Sequence, residues 1–206
     1  MKNIDNILNK VRNRSAKPLG IRANFAILVP LIYIKGDIHV LYEIRSSSLK
    51  TQPGEVSFPG GGVEKNETFL QAAIRETEEE LNISRKNIEI IGEMDYIMMP
   101  FNIGIYPYLG VLKEIDFNDI YYSTDEVQDI FTVPLDFLLE NEPERYDMVI
   151  QPEVKNNFPF HLIRNGKAYD WRSGIYPVYF YKYKDYIIWG MTARMTKNFI
   201  DIIKQE

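Results

Sequence analysis

Apolar positions recur along this chain with two periods. Alternation or short apolar runs mark strands over residues 24–33 and 38–44, and Lys35, Gly36 and Asp37 between them read as a hairpin turn. Further strands are expected over 88–98 and 105–114, joined near Pro100–Gly104, and over 129–133, 158–163 and 175–182. A helical period appears over residues 2–14, with Ile4, Ile7, Leu8 and Val11 as a docking stripe. It recurs over 69–81, with Leu70, Ala73, Ile74, Thr77 and Leu81 facing inward. It appears again from about 190 to 204, on Met191, Ala193, Met195, Phe199 and Ile202. Residues 134–139 read as a short turn or helix, and Glu140–Tyr146 as a polar break. Residues 45–67, rich in Ser, Gly, Pro and charge, read as a long functional loop holding a short strand around Val56–Phe58. Strands, a helix, more strands and a terminal helix predict an α/β (α+β) fold with a mixed central sheet and helices against its faces. With no repeats or linkers, one domain is expected over 1–206, with 1–20 as a short N-terminal extension.

The helix over 69–81 carries the chemistry. Thr68 is placed to cap it and Gln71 to complete a capping box. Glu76, Glu79 and Glu80 cluster on a face separate from the apolar stripe, directly after the glycines Gly60 and Gly61. Like charges at this spacing repel by a few tenths of a kcal/mol. A divalent cation held by oxygen ligands would offset that repulsion, which turns an acidic helix into a proposal for metal-assisted hydrolysis.

Composition narrows the classes. The 206 residues are 45% hydrophobic and 26% charged, which argues against disorder. A net charge of -5, with no basic stripe, gives no case for nucleic-acid binding. There is no cysteine, so disulfides, thiolate catalysis and Cys-based zinc sites are out, as expected of a cytoplasmic protein. The start, MKNIDNILNKVRNRS, lacks the apolar core of a signal peptide. FAILVPLIYI, at 25–34, is too short to span a bilayer, so no membrane partner is expected. The histidines, His39 and His161, lie far apart, which disfavours a histidine-led metal site.

Written as a pattern, the central segment is Gly61, five residues, Glu67, seven residues, then Arg75-Glu76-Thr77-Glu78-Glu79-Glu80-Leu81-Asn82-Ile83. This closely resembles the signature of the Nudix (MutT-like) hydrolases and implies their α/β/α sandwich. Thr77 replaces the usual bulky aliphatic residue and Asn82 the usual glycine. Thr77 can pack its methyl inward, and Asn tolerates the left-handed conformation of a helix end. The resemblance implies Mg2+ or Mn2+ held by Glu76, Glu79 and Glu80, with Arg75 buttressing them and Glu67 bracing the loop–helix corner. It further implies that water attacks a metal-bridged diphosphate and gives its proton to a carboxylate. That base is a Glu of this helix, such as Glu79, or a carboxylate on a later loop, where Asp125 and Glu126 are the best candidates and Asp95 a weaker one.

A second resemblance concerns the substrate. RSSSLKTQPGEVSFPGG, residues 45–61, looks like the segment preceding the Nudix box in coenzyme A diphosphatases. DEVQDIFTVPLDFLLENE, residues 125–142, and IWGMTARM, residues 188–195, are similar to later parts of the same family. The implied reaction is cleavage of the coenzyme A diphosphate to 4′-phosphopantetheine and 3′,5′-ADP, and many such relatives are homodimers. Gln52 stands where that family usually has histidine, and Glu67 where it often has Asp in a box one residue longer. Arg45 is the expected phosphate contact, since a guanidinium fork matches phosphoryl oxygens. Ser46, Ser47 and Ser48 read either as phosphate contacts or as turn caps, the turn coming first for any one of them, and Gly60 and Gly61 let backbone approach ligand or metal closely. Phe58 and Pro59 hold the corner, and Trp189 and Arg194 anchor the last helix. His161 is expected to be packed or hydrogen-bonded in an aromatic strand. The run YPVYFYKYKDY, 176–186, reads either as alternation on a half-buried strand or as an adenine platform. Hydrolysis of ADP-ribose, a nucleoside diphosphate derivative or a dinucleotide is the nearest alternative. A non-catalytic nucleotide-binding module is the alternative from another class.

Overall fold

The computed structural model describes residues 4–205. The first residues of the helix expected over 2–14 lie outside them. The strands are β1 (Ala23–Ile34), β2 (Asp37–Arg45), β3 (Val56–Ser57), β4 (Gly60–Gly62), β5 (Ile88–Glu93), β6 (Ile97–Met99), β7 (Ile103–Leu112), β8 (Val127–Pro134), β9 (Glu144–Ile150), β10 (Gly174–Tyr183) and β11 (Tyr186–Trp189). The helices are α1 (Ile4–Arg12), α2 (Phe69–Leu81), α3 (Leu135–Glu140) and α4 (Gly190–Lys204).

The main sheet runs β3-β2-β1-β7-β5, with β8 beside β2, β4 beside β1 and β6 beside β7. β1 and β7 are parallel, and the other pairs are antiparallel. The mixed sheet read from the sequence is therefore present. β11, β10 and β9 form a second, antiparallel sheet.

Strand alternation sorts the side chains onto two faces. Ala26, Leu28, Ile32 and Leu41 meet Ala72, Ala73, Ile74 and Leu81 of α2 in one core. Val29, Val40 and Tyr42 face the other way, onto Ala193, Met195, Phe199 and Ile200 of α4 and onto Tyr181 and Ile188 of the second sheet. Tyr42 stacks between Phe58 and Phe131, with centroids 4.9 and 5.4 Å away, and its hydroxyl bonds Thr196 at 3.0 Å. Thr192 donates to the Val56 carbonyl at 2.9 Å, which ties α4 to β3 at the start of the glycine segment.

Several expected elements differ. The strand expected over 88–98 is two strands, because β5 and β6 pair with different halves of β7. Asp95 falls in the break between them, not on a strand. Residues 158–163 form no strand: Pro159 has no N–H to give a ladder, and Phe160–Leu162 make a 3-10 turn. The aromatics there pack on one another instead, Phe158 against Phe160 and Trp171 at 4.9 and 5.6 Å. His161 is consequently exposed rather than packed. The polar break ends early, because β9 begins at Glu144. Ile4, Ile7, Leu8 and Val11 of α1 are all exposed, so the stripe does not dock on the described residues.

Candidate metal centre

Local signals build α2 as expected. Thr68 Oγ1 accepts from the Gln71 N–H at 3.2 Å, and Gln71 Oε1 accepts from the Thr68 N–H at 2.8 Å, closing the capping box. Asn82 ends the helix in the left-handed conformation, at φ 49°. Thr77 is buried and donates to the Ala73 carbonyl at 2.7 Å. Packing through Ala72 and Ala73 brings the helix close enough to the sheet that Glu80 is itself buried, at 3% exposure.

Carboxylate oxygens of Glu76, Glu80 and Glu126 lie within 4.8 Å of one another. Glu80 Oε2 accepts from the Gly60 N–H at 2.8 Å. Gly60 has φ +151°, and a Cβ there would lie 2.4 Å from the Ala26 carbonyl, so only glycine lets this strand lie flat against β1. Glu126 arrives from far along the chain by backbone bonds. Ser123 N–H donates to the Glu80 carbonyl at 2.8 Å, and Ser46 N–H to the Glu126 carbonyl at 2.8 Å. The loop before β8 is thus hung between the end of α2 and the turn after β2.

Arg75 is the cation that organises the rim. It grips Glu67 with two bonds, Nε to Oε2 at 3.2 Å and Nη2 to Oε1 at 3.0 Å. Nη1 reaches Glu76 at 2.8 Å and Glu79 at 3.3 Å, and Nη2 reaches the Gly62 carbonyl at 3.1 Å. Glu67 also accepts the Glu64 N–H, at 2.6 Å. These bonds, those from Arg75 foremost, hold the Glu67 carboxyl below its usual range. Glu79 pairs with Arg75, keeps 60% of its side chain exposed and stands outside the three-carboxylate cluster.

The inner wall holds a carboxylate that the sequence reading passed over. Glu43 of β2 is 1% exposed. Ser57 Oγ donates to its Oε1 at 2.7 Å, while Oε2 is fully covered and accepts nothing from the described residues. Burial pushes the Glu43 and Glu80 carboxyls well above their usual range, the nearby Glu76 and Glu126 charges push both further up, and Glu43 adds to the rise at Glu80. Burial raises Glu76 too, against the pull of Arg75. Strand parity was the missed signal, since Glu43 shares a face with Leu41, a core residue.

This donor set fits a hard divalent cation. It is made of carboxylate oxygens, with no thiolate or imidazole in the cluster. An orphaned buried oxygen beside it is the kind of group an ion would satisfy.

Other expected residues fall at varying distance from this centre. Arg45 sits at a bulge in β2, and its Nε donates to the Thr51 carbonyl at 3.4 Å. Ser46 is buried and bonds Ser48 at 3.0 Å, so it shapes the turn that meets Glu126. Asp125 is exposed and outside the cluster, where Ser48 Oγ donates to its backbone carbonyl. Asp95 instead accepts from Asn198 of α4 at 2.8 Å. Gln52 bonds Glu55 at 3.1 Å in a left-handed turn at φ 52°. Arg194 lies over the Tyr176 ring at 5.1 Å, and Trp189 stacks on Phe180 at 5.9 Å. Phe180, Tyr186 and Trp189 line a cleft of about 530 Å³ with Ile44 and Val56. These two strand residues alternate with Glu43 and Ser57, so the cleft lies on the face away from the carboxylates.

The NUDIX domain model matches residues 26–155, a span that includes most of β1, the glycine segment, α2 and Glu126. The chain belongs to the NUDIX domain family. A Nudix hydrolase 3 of Caenorhabditis elegans is 31% identical over 142 residues, covering 68% of this chain and 59% of that protein. A peroxisomal coenzyme A diphosphatase of Mus musculus is 30% identical over 173 residues, covering 83% of this chain and 66% of that protein. The chain thus spans less than two thirds of the length of either relative. A MutT/nudix family protein from Enterococcus faecalis shares the fold, with TM-score 0.54 at 16% identity over 98% of this chain and 70% of that one. Among the described residues no helix is long and apolar enough to cross a membrane.

Proposed function

We propose that this Nudix chain hydrolyses the diphosphate linkage of coenzyme A or its derivatives, yielding 4′-phosphopantetheine and 3′,5′-ADP, with Mg2+ or Mn2+ as cofactor. The observation that carries the reading is the convergence of Glu76, Glu80 and Glu126 beside the Gly60–Gly62 strand. In this reading Glu76, Glu79 and Glu80 would hold the cation, Glu79 from its place beside Arg75 at the rim. When bound, the cation would neutralise diphosphate charge and acidify water.

The chain's own groups do the rest. Arg75 holds Glu76 in place and keeps the glycine segment against α2 through the Gly62 carbonyl. Glu126, exposed at the mouth of the cluster, takes the proton of the attacking water. Arg45, partly exposed beside the same turn, contacts a phosphoryl oxygen. The substrate class rests on the resemblance of residues 45–61 to coenzyme A diphosphatases, together with the mouse relative that bears that name.

The nearest rival is an ADP-ribose or other nucleoside diphosphate pyrophosphatase. Gln52, standing where coenzyme A diphosphatases usually have histidine and engaged with Glu55, speaks for it. A screen of coenzyme A, ADP-ribose, NADH and diadenosine polyphosphates with Mg2+ and Mn2+, with products identified by mass, separates them. Coenzyme A is expected to turn over fastest. Turnover of ADP-ribose with coenzyme A untouched would overturn the substrate, and no turnover of any compound would favour a non-catalytic binding module.

A further inference from the structure

The mechanism leaves Glu43 unused, although it is the most completely covered carboxylate beside the cluster. It lies on a central strand between Tyr42 and Ile44, both of which face the aromatic core on the other side of the sheet. A threonine or valine would fill this position at no electrostatic cost. Instead a carboxylate is buried, with one oxygen bonded by Ser57 and the other bonded by no described group. An isolated buried carboxylate is expensive, and so is a buried polar atom without a partner.

Protonation answers only half of that difficulty. A proton on Oε2 removes the charge but creates a buried donor with no acceptor, since no described group pairs with that atom. A cation removes both problems. The neighbouring acidic group is Glu80: Glu43 shares the α2 side of the sheet with Leu41 and pairs with Ser57, three residues before the Gly60 whose amide holds Glu80. Glu80 commits Oε2 to the Gly60 amide, which leaves Oε1 for an ion. Mg2+ is commonly held by only one or two carboxylates, with water and substrate oxygens completing the shell.

We propose that Glu43 is a ligand of the metal centre, holding a second divalent cation between its free carboxylate oxygen and Glu80, on the sheet side of the Glu76–Glu80–Glu126 cluster. The proposal rests on the reading of that cluster as a cation site and extends it inward. Glu80 is then the shared ligand, and β2 becomes part of the centre along with α2 and the loop before β8.

The test is Mn2+ binding to the full chain without substrate, followed by the electron paramagnetic resonance of free Mn2+. The wild type is expected to bind two ions per chain. Glu43→Gln keeps the volume and an acceptor for Ser57, and it is expected to bind one ion, with that remaining affinity within about threefold of the outer wild-type site. Its thermal midpoint in EDTA is expected to stay within a few degrees of the wild type, because the amide exchanges a buried carboxyl oxygen without a partner for a buried N–H without one. Should Glu43→Gln fail to fold, Glu43→Asp, which withdraws the carboxylate by one methylene, is read in the same way. Unchanged stoichiometry and affinity in the variant would overturn the role of Glu43 and leave the outer site standing. A wild type that binds no Mn2+ at all would overturn the cation reading itself, and this proposal with it.

Discussion

Gly61 gives the sharpest handle on the centre. A Cβ at this position would lie 2.3 Å from both Cδ and Oε1 of Glu76, whereas ordinary contact begins near 3.4 Å. Gly61→Ala must therefore displace the Glu76 carboxylate by about 1 Å, a misplacement that can cost about 10²-fold in rate. The same shift strains the 2.8 Å bond from Arg75. Fold stability should hardly change, because the obstructing atoms are the far end of a flexible side chain. Gly62→Ala is the control, since a Cβ there meets nothing within 4 Å. Mn2+ affinity is expected to fall at least about tenfold in Gly61→Ala, and coenzyme A turnover about 10²-fold. Thermal midpoints of both variants should stay within a few degrees of the wild type. Wild-type metal affinity and turnover in Gly61→Ala would show that Glu76 can move freely and does not hold the ion.

Two further perturbations probe the same electrostatics. In EDTA the buried Glu80 carboxyl binds its proton above the ordinary value of 4.5, so the folded state holds a proton that the unfolded state has lost. That contribution is complete below pH 4.5 and declines as pH rises, by about 3 kcal/mol between pH 5 and 7 for one retained proton. His39, lowered by burial, slopes the other way and cancels when wild type and Glu80→Gln are compared by urea unfolding. The wild type should lose stability relative to Glu80→Gln over that range, and parallel profiles would contradict the burial of a carboxyl pair. Arg75→Lys keeps the charge but cannot reproduce the paired grip on Glu67 or reach Glu76, Glu79 and Gly62 together. Mn2+ affinity is expected to drop about 10- to 100-fold, and full retention would remove Arg75 as the organiser of the rim.

What the sequence made legible was local. Thr68, Gln71, the apolar stripe and Asn82 sit within one helix length, so α2 and its acidic face could be read directly. The β1–β2 hairpin was equally plain from Lys35 to Asp37. β4 was not, because three glycines carry no side-chain alternation and the strand exists only through pairing with β1. β9 is exposed along almost its whole length, so it has no apolar face to betray it. The aromatics around Phe158 satisfied a strand pattern but pack within their own loop.

The site divides in the same way. Glu76 and Glu80 came from the run of glutamates, whereas choosing Glu126 over Asp125 as the cluster member required the bonds from Ser123 and Ser46. Glu43 stayed hidden because a lone charge in a strand reads as a solvent-facing position. Only its parity with Leu41 marks it as inward.

The most direct test is coenzyme A turnover against Mg2+ concentration, in the wild type and in Glu80→Gln, with products identified by mass. The expected result is saturable Mg2+ dependence, no turnover in EDTA, 4′-phosphopantetheine and 3′,5′-ADP as products, and a loss of at least about 10²-fold in Glu80→Gln. Turnover that persists in EDTA, or that survives Glu80→Gln unchanged, would contradict a metal centre built on this helix.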